Sequence, residues 1–224
     1  MQDIKNPKLL EKYSFFIFDW DGTLTSIRLL LKIKDTISRI KLLRKGFKSS
    51  RKTSARKLGT LPTNAGIAME EEKNGLLSLL VDFFLILSRP RLHKYTLETL
   101  ALLKERGKTL VILTNAGKHR INREASYTRV SKYFSFIASA RQMKEMKPSP
   151  YGILIILKHA KATKRKTLMI GDSIDDIIAA KLAGVDQCAI ADGFDSYTTL
   201  KKENPTYIFK SMEEFYNKLK ESKA

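Results

Sequence analysis

The stretch SFFIFDWDGTLT, residues 14–25, carries the strongest structural signal of the chain. Its first five residues form an apolar run typical of a strand buried on both faces, and the charged and turn-forming residues after it end that strand. Asp19 and Asp21 flank Trp20 at this end, and Gly22 permits a sharp turn. Two carboxylates held so close together need a cation or a shared proton. The stretch therefore predicts a buried strand with a pair of acids at its carboxyl end.

Strand-like and helical patterns alternate along the rest of the chain. Apolar runs predict five further strands at residues 109–113, 134–138, 167–170, 187–190 and 206–209. Helical spacing of apolar residues predicts helices at 96–106, 150–160, 174–183 and 212–219. Continuously apolar strands separated by helices are typical of a parallel sheet that is covered on both faces. We therefore expect an α/β fold with a doubly wound parallel sheet, in which ligands bind beyond the carboxyl ends of the strands.

Residues 26–91 interrupt this alternation. The pattern predicts a basic amphipathic helix at 27–45, a basic, serine-rich loop at 48–57, and a second, apolar helix after it. The segment holds 15 Lys or Arg and 5 Asp or Glu, so it supplies +10 of the formal net charge of +19. We expect a small helical, basic subdomain, residues 26–91, inserted into an α/β core formed by residues 1–25 and 92–224.

The composition restricts the class of protein. With 43% hydrophobic residues, the 224-residue chain can build a core, and its single cysteine, Cys188, excludes an internal disulfide framework. Every apolar run is shorter than the roughly 18–20 uncharged residues that a membrane-spanning helix needs. We therefore expect a soluble protein of the cytoplasm. The positive charge favours anionic partners such as phosphate esters, nucleic acid or an anionic membrane surface.

A second acidic cluster follows the strand predicted at 167–170. It consists of Asp172, Asp175 and Asp176, and it opens the next predicted helix. Acids at a helix N-terminus are commonly caps or partners of the helix dipole, and that interpretation fits at least one of the three. It does not explain why the cluster lies at a strand end, as Asp19 does. Both interpretations, the cap and the functional site, therefore stay open.

Two further polar groups lie at comparable places. Thr114 and Asn115 follow the strand predicted at 109–113, where hydroxyl, amide and backbone N–H groups can hold a phosphoryl oxygen; a helix cap or a turn is the alternative. Lys147 precedes Pro148, which favours an extended or turn conformation. A lysine held in that way can neutralise a phosphoryl group or several carboxylates, although a surface lysine is the simpler interpretation of that residue alone.

The order of these four groups resembles the haloacid dehalogenase superfamily. The motifs are DWDGTLT at 19–25, TN at 114–115, KPSP at 147–150 and GDSIDD at 171–176. The resemblance covers about residues 14–25 and 95–195. It implies a Rossmann-like core, and the position of residues 26–91 matches that of a helical, type-1 cap that closes over the site and selects the substrate. Met146 departs from the pattern, because many relatives have glycine before the lysine.

The resemblance also implies a role for each motif residue. Asp19 is then the nucleophile that accepts the phosphoryl group, and Asp21 is the acid/base that serves the leaving group and the attacking water. The groups implied to bind Mg²⁺ are Asp19, the backbone carbonyl of Asp21, Asp172 and Asp176. The residues implied to bind phosphate are Thr114, Asn115 and Lys147. Because the dehalogenases lack an acid at the position of Asp21, the acid here indicates the phosphatase side of the superfamily.

Three functions stay open at this point. The leading one is a phosphatase for a small phosphorylated substrate, similar to phosphoglycolate phosphatases and related pyrophosphatases. A sugar-phosphate mutase shares the acid at Asp21 and is the nearest enzymatic alternative. The alternative from another class is a protein that binds nucleic acid or an anionic membrane through its basic cap, with the catalytic groups secondary.

Overall fold

Six parallel strands form one sheet in the order β3–β2–β1–β4–β5–β6. A computed structural model describes residues 9–26, 89–139 and 143–221 of the chain. The strands in these ranges are β1 (Phe15–Phe18), β2 (Thr109–Thr114), β3 (Phe136–Ser139), β4 (Thr167–Gly171), β5 (Asp186–Ile190) and β6 (Tyr207–Phe209). The helices in the same ranges are α1 (Leu9–Lys12), α2 (Thr96–Glu105), α3 (Lys118–Tyr127), α4 (Tyr151–Ala160), α5 (Ile174–Ala183), α6 (Tyr197–Lys202) and α7 (Met212–Glu221).

Strand β1 lies between β2 and β4 in the centre of the sheet. Phe15 pairs with Thr109 of β2 and with Thr167 of β4, and the same register continues to Phe18. The chain winds outward from β1 through β2 to β3, and then returns to the other side of β1 to form β4, β5 and β6. The winding direction therefore reverses next to β1. In open α/β sheets, the crevice beyond the carboxyl ends at such a switch point binds ligands.

The side chains of β1 face both layers of helices. Phe16 and Phe18 belong to a buried cluster that includes residues of α2 and α7. Phe15 and Ile17 belong to a second buried cluster, which includes residues of α4 and α5. Because both faces of the strand are covered, β1 is apolar at every position. Polar side chains that could form a functional site therefore occur only after the carboxyl end of β1.

The structure confirms the predicted doubly wound parallel sheet. The six strands lie within two residues of their predicted bounds, and α5 begins and ends at the predicted residues. Helix α5 is well marked in the sequence, because the Ser173 side chain caps it and Gly184 ends it with a positive φ of 74°. Helices α1, α3 and α6 are absent from the predicted elements, since α3 is mostly polar and α1 and α6 have only four and six residues.

The two stretches of chain that flank the inserted segment, residues 25–26 and 91–92, lie side by side. Thr25 forms an antiparallel bridge with Leu92, and the N–H of Ser26 donates to the carbonyl of Arg91 at 2.8 Å. Most of the predicted cap, residues 26–91, lies outside the described residues, so its helices and the domain boundaries stay predictions. Within the described ranges, no helix is both long enough and apolar enough to span a bilayer.

Candidate active site

Three of the motif residues lie at one edge of the sheet. Asp19 follows β1 directly, Asp172 follows β4, and Thr114 is the last residue of β2. All three are buried. The N–H of Asp19 donates to the carbonyl of Ile170 at 2.8 Å, so the pairing of β1 with β4 continues up to the first acid. The hydroxyl of Thr114 accepts a hydrogen bond from the N–H of Ala116 at 3.1 Å and so shapes the turn after β2.

Lys147 lies between two carboxylates at this edge. Its Nζ donates to Oδ1 of Asp19 at 2.5 Å, to Oδ1 of Asp176 at 2.6 Å and to the carbonyl oxygen of Leu113 at 3.2 Å. An ammonium group has three hydrogens, so these bonds use all of its donors. Lys147 is only 4% exposed, and its positive charge is therefore fixed beside Asp19.

Asn115 holds the loop that carries Lys147. Its Nδ2 donates to the carbonyl of Lys147, and its Oδ1 accepts from the Lys147 N–H, both at 3.2 Å. The peptide bond between Lys147 and Pro148 is cis. The Lys147 side chain contacts Asp19 even though Met146 stands where many relatives have glycine. The amide of Asn115 acts here on a lysine backbone, a contact that the sequence motif did not indicate.

The two carboxylate oxygens of Asp176 have different partners: one caps helix α5 and the other contacts Lys147. Its Oδ2 accepts from the Ser173 N–H at 3.1 Å, from the Ser173 hydroxyl at 2.7 Å and from the Asp172 N–H at 3.2 Å. The Asp176 N–H donates in return to the Ser173 hydroxyl oxygen at 3.4 Å, and this bond and the Ser173 N–H bond form a capping box at the start of α5. Its Oδ1 is the atom that contacts Lys147. The helix cap and the site residue, which were alternatives from the sequence, are the same side chain.

Asp172 is held by the loops that follow β1 and β5. The hydroxyl of Thr23 donates to Oδ1 at 2.8 Å, and the N–H of Phe194 donates to Oδ2 at 2.7 Å. The backbone also passes close to this carboxylate at Gly193. Sequence reasoning assigned no role to Gly193 or Phe194. The available signal was the turn-forming sequence ADG at 191–193, which directly follows β5 and therefore lies at the carboxyl end of the sheet.

His93 connects the same two loops. Its Nε2 lies 3.2 Å from the carbonyl oxygen of Gly22, and its Nδ1 lies 3.1 Å from Oδ2 of Asp192. Both partners are hydrogen-bond acceptors, so each ring nitrogen faces an acceptor. The ring therefore ties the loop after β1 to the loop after β5. No sequence motif pointed to His93.

The crowding of acids changes their protonation equilibria. Burial raises the pKa of Asp19 from its usual 3.8 to about 7; the Lys147 cation opposes this rise, and the charges of Asp176 and Asp21 add to it. Burial, followed by the charges of Asp19 and Asp176, raises the pKa of Asp172 well above its usual value. Burial lowers the pKa of Lys147, but the charges of Asp176 and Asp19 outweigh it and the net pKa is raised. The lysine therefore stays charged, and full ionisation of the acids calls for a further cation.

The carboxylates of Asp19, Asp172 and Asp176 can hold a metal ion. One oxygen from each lies within 4.8 Å of the other two, and all three residues are buried. Lys147 offsets one of three negative charges, so two stay unmatched, and a divalent cation would match them. Carboxylate oxygens are the ligands that hard divalent cations prefer. The donor set therefore fits a divalent metal, and Asp176 rather than Asp175 completes it.

The side chain of Asp21 pairs with an arginine instead of joining this cluster. Both of its oxygens contact the guanidinium of Arg120 in α3, with Nη1 3.0 Å from Oδ1. Nη1 also lies 3.5 Å from each oxygen of Glu124, one turn further along α3. The fully buried Glu124 accepts a hydrogen bond from Nε1 of Trp20 at 2.8 Å. Sequence reasoning missed Arg120 and Glu124, for which the i, i+4 spacing of opposite charges was the available signal.

Comparison with known proteins places this site in a family. The chain matches the haloacid dehalogenase-like hydrolases over residues 13–184. Since this match covers most of the chain, the chain belongs to that family of hydrolases. The predicted superfamily resemblance is thereby confirmed.

Individual relatives match over shorter stretches. PpaX of Caldanaerobacter subterraneus, named as a pyrophosphatase, is 32% identical over 115 residues, which are 51% of this chain and 52% of that protein. Phosphoglycolate phosphatase 1 of Pseudomonas aeruginosa is 26% identical over 144 residues, which are 64% of this chain and 53% of that protein. The chain thus spans about half the length of the curated relatives it matches.

Solved structures share the fold over nearly the whole chain. A haloacid dehalogenase-like hydrolase of Bacteroides fragilis superposes with a TM-score of 0.68 at 24% identity, covering 91% of this chain and 100% of that one. A protein of Lactobacillus delbrueckii, named as a phosphoglycolate phosphatase, superposes with a TM-score of 0.69 at 18% identity, covering 93% and 98% of the two chains. At these identities the likeness concerns the fold.

Proposed function

We propose that this chain is a Mg²⁺-dependent phosphatase that hydrolyses a small phosphate monoester or pyrophosphate through an aspartyl-phosphate on Asp19. The observation that carries the proposal is the position of Asp19, a buried carboxylate at the switch point of the sheet, 2.5 Å from a buried lysine and beside two further acids. A carboxylate approaches a phosphate only where positive charge screens both groups. Lys147 supplies one such charge, and the three acids accommodate a metal that supplies more.

The proposed reaction has two steps. An oxygen of Asp19 bonds to phosphorus while the bond from phosphorus to the leaving oxygen breaks, and Asp21 gives a proton to that oxygen. A water molecule then bonds to the phosphorus of the aspartyl-phosphate, Asp21 takes a proton from this water, and the bond from phosphorus to Asp19 breaks. The second step releases inorganic phosphate and restores both aspartates.

The remaining groups support this chemistry. Asp19, Asp172, Asp176 and the backbone carbonyl of Asp21 would hold Mg²⁺, which supplies positive charge that stabilises the transferring phosphoryl group. We propose that the phosphoryl oxygens are bound with the help of Thr114, Asn115 and Lys147. The Asn115 side chain serves them through Lys147, whose backbone it holds with two hydrogen bonds.

The substrate is proposed to be a small phosphorylated molecule chosen by residues 26–91. This segment follows the Asp21 loop directly in the sequence, which is where a cap that selects a substrate is inserted. Relatives named as a pyrophosphatase and as phosphoglycolate phosphatases support a small substrate with one or two phosphate groups.

The first experiment measures phosphate release from p-nitrophenyl phosphate, with Mg²⁺ and with a chelator. We expect release that depends on the metal, and loss of that release to the uncatalysed background in Asp19→Asn. The matched control is Glu213→Gln, which makes the same carboxylate-to-amide change at a partly exposed position on α7. Metal-dependent release by folded Asp19→Asn at the wild-type rate would contradict the proposed nucleophile.

A second experiment separates the alternative functions. Phosphorylated metabolites are incubated with the protein and Mg²⁺, and the products are resolved by chromatography. Free phosphate supports a phosphatase, whereas a positional isomer of a sugar phosphate would identify a mutase. Labelled RNA, DNA and anionic vesicles are tested for binding at physiological ionic strength, where tight binding without phosphatase activity would favour the polyanion-binding alternative.

A further inference from the structure

Arg120 binds the proposed acid/base, Asp21, through two parallel hydrogen bonds. Nη1 lies 3.0 Å from Oδ1, and Nη2 pairs with Oδ2. The two side chains are 12% and 15% exposed, so the pair is largely shielded from water. A bidentate pair restricts the plane of a carboxylate as well as its position. Arg120 therefore sets the orientation of the Asp21 side chain.

Glu124 also contacts Arg120, and Trp20 in turn holds Glu124. Each oxygen of Glu124 lies 3.5 Å from Nη1 of Arg120, and Oε2 accepts a hydrogen bond from Nε1 of Trp20 at 2.8 Å. Glu124 and Trp20 are both fully buried. The contacts thus form a closed path that leaves the loop after β1 at Asp21 and returns to the same loop at the preceding residue.

Burying the Glu124 carboxylate in this network has a desolvation cost for the stability of the fold. A buried carboxylate such as Glu124 destabilises a fold unless a cation and hydrogen bonds accompany it. Arg120 and Trp20 provide both, but an apolar side chain at position 124 would fill the same space without needing them. The network therefore points to a role in placing Arg120 against Asp21.

We propose that Arg120 is a positioning residue for the second step of the reaction, in which Asp21 takes a proton from the water that attacks the aspartyl-phosphate. The inference rests on the proposed function, since it assigns Asp21 the acid/base role. An arginine keeps its own protons, so it acts only by holding Asp21 as an oriented, proton-accepting carboxylate. The first step uses Asp21 as a proton donor and gains nothing from this pairing. Loss of Arg120 should therefore slow the hydrolysis of the phospho-enzyme more than its formation.

The test is steady-state and rapid-quench kinetics of Arg120→Met with p-nitrophenyl phosphate, whose leaving group needs little protonation. Because kcat/KM reports the steps up to formation of the aspartyl-phosphate, we expect it to change by less than about twofold. We expect kcat to fall by about 10- to 100-fold and KM to fall with it, which is less than the loss of an acid/base group itself. Acid quenching should show a larger fraction of covalent phospho-enzyme than in the wild type.

Matched variants keep the test independent of folding. Arg129→Met makes the same substitution at an exposed position just after α3 and should leave kcat, KM and the phospho-enzyme fraction unchanged. Arg120→Lys keeps the charge without the bidentate pair, and Glu124→Gln keeps an acceptor for Trp20 without the charge. Both should shift kcat and KM in the same direction as Arg120→Met, by smaller factors. If Arg120→Met does not fold, these two variants decide the question.

The outcomes separate this inference from the function on which it rests. An inactive wild type, or an active Asp19→Asn, overturns both. If the wild type is active and the Arg120 and Glu124 variants keep the wild-type kcat, only the proposed role of Arg120 is overturned. The same holds if kcat falls with KM unchanged and no additional phospho-enzyme, because that pattern describes a loss of folded enzyme.

Discussion

A Cβ atom placed on Gly193 would lie 1.9 Å from Oδ2 of Asp172. A Cβ on Gly22 would lie 2.1 Å from the same oxygen, and Gly22 has a positive φ of 93°. Two backbone segments therefore close around Asp172 at distances that no side chain allows. This contact explains why a proposed metal ligand can be buried between the loops after β1 and β5.

The glycine contacts predict a local defect in the site. Gly193→Ala should displace Asp172, lower the affinity for Mg²⁺ and reduce phosphatase activity at least about tenfold, with a loss of about 1–3 kcal/mol in the free energy of unfolding. Gly22→Ala should act in the same way and adds the strain of its positive φ. The control is Gly117→Ala, where no atom lies within 4 Å of the added Cβ. Wild-type metal affinity in Gly193→Ala would contradict the described packing.

The Lys147 contacts predict a variant that loses both activity and stability. Lys147→Met removes the cation that lies between Asp19 and Asp176 and leaves their buried charges uncompensated. Breaking a buried pair in this way costs about 3–5 kcal/mol. Urea denaturation at pH 8 without metal should show this loss, whereas Lys158→Met, at an exposed position of α4, should change little. Equal stability of Lys147→Met and the wild type would contradict the ion pairs.

The raised pKa of Asp19 predicts a pH dependence of the metal-free protein. Its pKa is about 7 in the folded chain and 3.8 ordinarily, so between these values the folded chain holds a proton that the unfolded chain has lost. The resulting stability is complete below about pH 4 and is lost as the pH rises through 7, with a slope of up to about 1.4 kcal/mol per pH unit. The raised pKa of Asp172 acts in the same direction.

Denaturation in a chelator at pH 5, 6, 7 and 8 measures this slope. The free energy of unfolding contributed by the site should decrease over the series, and Asp19→Asn, which has no proton to release, should show a shallower decrease. With saturating Mg²⁺ this decrease should disappear, because the carboxylates are then ionised both in the metal-bound folded chain and in the unfolded chain. A steeper decrease in Asp19→Asn than in the wild type would contradict the assignment to Asp19.

The three-acid cluster predicts stabilisation by a divalent metal. Mg²⁺ at a free concentration one hundred times its Kd should stabilise the folded chain by about 2.7 kcal/mol, seen as a rise in Tm at pH 8. Asp172→Asn and Asp176→Asn should lose this rise. Asp175→Asn is the discriminating control, since Asp175 neighbours the cluster in sequence without belonging to it. Loss of the rise in Asp175→Asn but not in Asp176→Asn would reverse the ligand assignment.

Much of the core could be predicted because its signals are local. An apolar run such as 14–18 describes a strand buried on both faces wherever it packs, and the serine and glycine at the ends of α5 mark that helix by their own backbone preferences. Helix α3 gave no such signal. Its buried face includes Glu124, and a charged residue at a core position conceals the apolar stripe by which amphipathic helices are recognised.

The amino-acid sequence alone specifies which acids follow which strands, and therefore the order of motifs that identifies the family. Which side-chain atoms contact one another depends on the folded arrangement of the chain. Parallel register brings Asp19 and Asp172 to one edge, the Asn115 contact directs Lys147 between Asp19 and Asp176, and α3 brings Arg120 to Asp21. These contacts join residues that are distant in the chain, and their energies depend on burial and orientation, which no local pattern contains.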